Sequence, residues 1–148
     1  MKIVFRTDAS IEMGIGHVMR CLTLADALRN EGAECHFVCR EHPGNLATQI
    51  VDHGHKVHLL SLGQGALSNQ DGSLPDYAHG LGCDWQSDVR QTADCIGSQR
   101  ADWLIIDHYA LDERWEKQLR PKCNKIMVID DLADRNHDCD LLLDQTYG

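Results

Sequence analysis

No apolar run in this sequence approaches the roughly 20 residues that a membrane-spanning helix needs. The amino terminus, Met1-Lys2-Ile3-Val4-Phe5-Arg6, meets an arginine and then Asp8 too soon for a secretory signal. These two absences point to the cytoplasm. Basic residues are also scarce. Fourteen lysines and arginines face 23 aspartates and glutamates, for a net charge of -9. Such a balance argues against nucleic acid as a partner, because phosphate backbones select basic surfaces. It leaves room for a small anionic substrate held by a local positive site. No C-x-x-C occurs among the seven cysteines, and their number is odd. Reduced, mostly buried thiols are therefore expected, with no disulfide framework and no structural metal. Neither a phosphate-binding G-x-x-x-x-G-K-[ST] loop nor an internal repeat is present.

What is present is a regular alternation. The chain is 148 residues long, enough for one domain with its own core. Short apolar runs read as strands at Lys2 to Arg6, Glu34 to Cys39, Lys56 to Leu60, Trp103 to Ile106, Lys125 to Ile129 and Leu141 to Leu143. Between them lie helical patterns. His17 to Glu31 carries Val18, Cys21, Leu22, Ala25 and Leu28 on one stripe, with Gly32 as a stop. Asn45 to His53 is a short helix. Asp84 to Ile96 places Trp85, Val89, Ala93 and Ile96 on one face, and Asp112 to Leu119 spaces Leu111, Trp115 and Leu119 by fours. The stretch from Ser61 to Cys83 has no period and reads as a long loop. Strand–helix alternation of this kind predicts an α/β, Rossmann-like parallel sheet with helices on both faces. Ligands of such sheets bind beyond the carboxyl ends of the strands. Carboxylates cluster there at four positions, Asp8, Asp107, Asp130 or Asp131, and Asp144, although aspartate also favours strand ends and caps for purely local reasons.

Gly14-Ile15-Gly16 opens like a dinucleotide fingerprint, but Met19 occupies the last glycine's place and the loop starts several residues after its strand. A nicotinamide site is not expected. The loop leads instead into a helix with His17 in its first turn. A helix amino terminus favours an anion and disfavours a protonated imidazole, so a neutral histidine able to take a proton from water is the expectation. A purely structural histidine stays open beside that reading. His53, His55 and His58 straddle a helix end and a strand and read as a solvated edge, as do His137 and Cys139.

Three stretches carry a family resemblance. They are Arg6-Thr7-Asp8-Ala9-Ser10 with Gly14-Ile15-Gly16-His17-Val18-Met19-Arg20-Cys21, then Ile105-Ile106-Asp107-His108-Tyr109, and lastly Val128-Ile129-Asp130-Asp131 with Cys139-Asp140-Leu141-Leu142-Leu143. Together they resemble the UDP-2,4-diacetamido-2,4,6-trideoxy-β-L-altropyranose hydrolases of pseudaminic acid biosynthesis. The resemblance implies a two-domain fold of the GT-B glycosyltransferase type. This chain would be its amino-terminal half, and the domain that holds most of the UDP would lie outside it. It implies inverting, metal-independent hydrolysis of a UDP-sugar without a cofactor. His17 would be the base and Tyr109 would position water or sugar, with Arg6, Asp8, Gly14, Gly16, Arg20 and Asp107 as substrate or loop contacts. An Asp8–Arg6 or Asp8–Arg20 pair that only fixes the loop is the alternative for those residues. The half alone is expected to fold but to turn over little substrate. Two other readings remain: an inverting glycosyltransferase, since the G-x-G-H loop also resembles that of the transferase building the peptidoglycan lipid precursor, and a non-catalytic module.

Overall fold

The computed structural model describes residues 1–9, 15–42, 44–61, 84–108, 110–129 and 137–143. Of the positions singled out above, Gly14, Tyr109, Asp130, Asp131, Asp144 and all but the first residue of the 61–83 stretch lie outside the described residues.

Among the described residues the chain forms β1 (Lys2–Thr7), α1 (Gly16–Asn30), β2 (Glu34–Arg40), α2 (Ala47–Asp52), β3 (Lys56–Leu60), α3 (Trp85–Ile96), β4 (Ala101–Asp107), α4 (Glu113–Leu119), a 3-10 turn (Arg120–Lys122), β5 (Cys123–Ile129) and β6 (Leu141–Leu143). All six strands pair in parallel in the order β3-β2-β1-β4-β5-β6. This is the Rossmann order, in which the chain reverses its direction of travel between β1 and β4 and leaves a crevice at their carboxyl ends.

Alternation along the strands divides the core in two. Ile3 and Phe5 of β1, Cys35, Phe37 and Cys39 of β2, and Ile105 of β4 pack against Val18, Cys21, Leu22 and Ala25 of α1 and Ile50 of α2. Val4, Val38, Leu104 and Ile106 point to the other face, where Ile96 of α3 and Leu111, Trp115 and Leu119 around α4 cover them. The stripe expected on α1 is thus the buried one, with Leu28 at its margin. Phe5 stacks on Phe37 with centroids 4.7 Å apart, an arrangement worth about 0.5–1.5 kcal/mol beyond area burial. α1 stops at Gly32, whose φ of 94° suits a residue without a Cβ. No helix among the described residues is long and apolar enough to cross a membrane.

α3 departs in one respect from its expected pattern. Its fully covered residues are Asp88, Thr92 and Ile96, while Trp85, Val89 and Ala93 are only partly buried. A carboxylate at the centre of an apolar face requires counter-charges, and the sheet beneath supplies them.

Candidate active site

β1 and β4 end in register, with Thr7 opposite Asp107. α1 begins beside this point, with His17 as its second residue. His17, Arg20 and Cys21 are spaced i, i+3, i+4 and so share one face of the helix. All three reach the carboxylate of Asp107. His17 Nδ1 lies 2.6 Å from Asp107 Oδ1. Arg20 binds both oxygens, through Nη2 to Oδ1 at 2.6 Å and through Nε to Oδ2. Cys21 Sγ is 3.8 Å from Oδ2. The Asp107 side chain is fully buried, whereas 12% of the His17 side chain and 21% of that of Arg20 remain accessible.

These contacts fix protons. An ionised carboxylate only accepts, so at 2.6 Å the hydrogen between the two residues sits on His17 Nδ1. The basic nitrogen of that tautomer is Nε2. Arg20 takes up part of the Asp107 charge, which makes Asp107 foremost an orienting group for the ring. Cys21 is no rival nucleophile. Burial, reinforced by the nearby Asp107 charge, pushes its thiol well above the usual range.

A second polar cluster lies on the opposite face. Arg6 of β1 and Arg40 of β2 are strand residues with fully buried side chains, and both bind Asp88 of α3. Arg6 reaches Asp88 through Nε at 3.0 Å and Nη2 at 2.5 Å, and Arg40 through Nη2 at 2.7 Å. Thr92 Oγ1 and Trp115 Nε1 also donate to Asp88. Arg6 Nη1 continues to Asp8 at 2.7 Å. Burial opposes ionisation of Asp8, yet Arg6, His108 and His42 hold its carboxyl well below the usual range. Asp88 is likewise held down, by Arg6 and Arg40 against its burial.

Asp8 accepts from the ends of three strands. Its Oδ1 takes Arg6 Nη1 and the Arg40 backbone N–H at 2.6 Å, and its Oδ2 takes His108 Nε2 at 2.8 Å with His42 Nε2 3.6 Å away. The residues selected from the sequence therefore separate into two groups. His17, Arg20 and Asp107 meet at the α1 side of the crevice. Arg6 and Asp8 form the pair that was the alternative to a substrate role, inside the buried cluster. Gly16 opens α1, and an added Cβ there would meet nothing within 4 Å.

No family model matches this chain. It is 27% identical over 144 residues to the UDP-2,4-diacetamido-2,4,6-trideoxy-β-L-altropyranose hydrolase of Campylobacter jejuni, an alignment covering 97% of this chain and 41% of that protein. It is also 28% identical over 130 residues to an uncharacterised protein of Methanocaldococcus jannaschii, covering 88% of this chain and 22% of that protein. The chain thus spans about two fifths of the first relative and about one fifth of the second.

Sequence reasoning missed Asp88, Arg40, His108 and His42. A signal for the first two existed: arginines at the ends of two apolar runs and one aspartate inside an apolar helical stripe cannot all be buried unless they meet. Two histidine readings need correction. His55 is buried, not solvated, because Asp26 of α1 reaches the α2–β3 turn and accepts from His55 Nε2 at 2.8 Å and His53 Nδ1 at 2.9 Å. The His137 side chain is covered as well, donating from Nδ1 to buried Glu116 at 2.7 Å.

Proposed function

We propose that this chain carries the water-activating half of a nucleotide-sugar hydrolase acting on a UDP-linked diacetamido-trideoxy sugar, the substrate type named for the Campylobacter jejuni relative. The observation that carries the reading is the His17–Asp107 pair at the crevice between β1 and β4, 2.6 Å apart and backed by Arg20. The likeness to the hydrolase along 97% of the chain supports it.

In the proposed reaction His17 Nε2 takes a proton from water as the water oxygen attacks the anomeric carbon. The bond from that carbon to the phosphate oxygen breaks with its electron pair going to UDP. Attack opposite the leaving group inverts the anomeric centre. Asp107 holds the imidazole in the required tautomer, and Arg20 holds Asp107. Tyr109 is proposed to align water or sugar, and Gly14 and Gly16 to let the backbone approach it. The reading needs no metal or other cofactor. The chain is proposed to be the amino-terminal half of a GT-B-type pair of domains, with the UDP contacts supplied by the other half.

The test is to supply the full-length gene product with UDP-2,4-diacetamido-2,4,6-trideoxy-β-L-altropyranose in H2(18)O and no acceptor. Release of UDP with 18O on the sugar's anomeric carbon and with inverted configuration is expected. Label in the phosphate would place the cleavage at the wrong bond. Turnover only after addition of an acceptor alcohol would make the protein a transferase.

A further inference from the structure

We propose that His108 is a positioning residue for His17: it locks the end of β4 so that Asp107 presents its carboxylate to the helix. The inference rests on the hydrolase reading only for its effect on turnover, since the geometry stands without it. Asp107 and His108 are consecutive, and neighbouring side chains at a strand end leave on opposite faces. Asp107 turns to α1 and accepts from His17. His108 turns the other way and meets Asp8 at 2.8 Å. β1 and β4 thus exchange two histidine–carboxylate pairs across the crevice. β4 gives a carboxylate to the helix that follows β1, and β1 gives a carboxylate to the histidine that follows β4.

His108 is pinned at both ring nitrogens. The Ala110 backbone N–H donates to Nδ1 at 3.1 Å, so the ring proton is on Nε2 and is donated to Asp8. Asp8 cannot follow a moving ring. Its other oxygen is bound by Arg6 and by the Arg40 N–H, and Arg6 is bound in turn by Asp88. The His108 carbonyl further accepts from the Leu111 N–H. Rotation of the peptide between 107 and 108 would have to break these bonds before it could swing Asp107 away from His17.

The test compares His108→Phe, which fills the ring volume without either nitrogen, with His108→Gln, whose amide can still donate to Asp8. The readout is the 15N and proton NMR signature of the His17 ring, which needs no substrate. In the wild type His17 should show a downfield proton on Nδ1. In folded H108F that signal should weaken or exchange with water, and in H108Q it should return. Where the wild type turns over the UDP-sugar, kcat of H108F should fall about 10–100-fold with KM little changed, as for other orienting partners. An unchanged His17 signature in folded H108F, or equal loss in both variants, would overturn the proposal. Should H108F fail to fold, the wild-type spectrum decides: a proton on His108 Nε2 with Nδ1 accepting supports the lock, and a proton on Nδ1 refutes it. Absence of turnover in the wild type would sink the hydrolase reading and leave the NMR comparison intact.

Discussion

His17 Nδ1 and Asp107 Oδ1 stand 2.6 Å apart across the gap between the start of α1 and the end of β4. The pair joins residues 90 positions apart in sequence. It converts a surface-edge imidazole into one with a fixed tautomer, which a general base requires. Replacing His17 by Asn should lower kcat by about 10²–10⁴-fold with little change in KM, because the amide fills the site but takes no proton. Steady-state kinetics on the full-length protein checks this. Wild-type turnover in the variant would reduce His17 to a loop residue.

Asp107→Asn should follow the same pattern, through a different cause. An amide nitrogen facing His17 favours the tautomer with its proton on Nε2, the wrong one for accepting a proton there. Arg20→Gln should be milder, since Asp107 keeps its hydrogen bond to His17. A larger loss of kcat in R20Q than in D107N would assign the main chemistry to the arginine.

Asp88→Ala should destabilise the fold by roughly 3–5 kcal/mol, the usual cost of removing one partner from a buried charge cluster. The variant strands two guanidinium groups whose side chains are fully buried and share the Asp88 Oδ2 atom. Urea unfolding followed by circular dichroism measures it. A loss below about 1 kcal/mol would mean that water reaches the arginines freely.

Stability should also fall in acid. Asp8 and Asp88 are held below the usual carboxylate range in the fold despite their burial. A depressed folded value means that their contribution is complete above about pH 4, where the unfolded carboxylates titrate. It is lost as pH drops through the folded values. Glu116 works in the opposite direction. Burial raises its value despite the donors His137 and the Asp138 N–H, so its contribution declines as pH rises through the range above its ordinary value. Urea midpoints between pH 7 and pH 3 should therefore decline, and less so in Asp88→Asn. An equal acid loss in that variant would remove Asp88 from the account.

The thiols of Cys21, Cys35, Cys39 and Cys123 should resist alkylation at pH 8 until the protein unfolds. Burial pushes all four up, Cys35 and Cys123 to about 11. Mass spectrometry after a short iodoacetamide pulse, with and without urea, reads this directly. Fast native labelling of Cys21 would place it in an open site.

The sheet and its two faces were legible from period alone. The Val18–Cys21–Leu22–Ala25 stripe and the six apolar runs each obey a local rule that needs no knowledge of the rest of the chain. The placing of Arg20 one turn beyond His17 was legible too, as a spacing on one helix, whereas Cys21 read as part of the buried stripe. What they face was not, because Asp107 lies far along the chain and reaches α1 only through the parallel pairing of β4 with β1. Asp88 shows the limit most clearly. Its neighbours on α3 mark it as an intruder in an apolar stripe, but only the register of β1 with β2 brings Arg6 and Arg40 under it.

That buried cluster also constrains the order in which the chain can assemble. Pairing of β1 with β2 brings two guanidinium groups together near the carboxyl edge of the sheet. Until α3 docks, Asp88 is not yet beside those groups, and they should keep their water. The drying of that face and the arrival of Asp88 therefore belong to one event. Residues of the Arg6–Asp88–Arg40 cluster should gain their native interactions late, so that damage there speeds unfolding far more than it slows folding. The floor beneath the crevice should thus act as a kinetic latch, holding the folded chain closed for as long as Asp88 stays between Arg6 and Arg40.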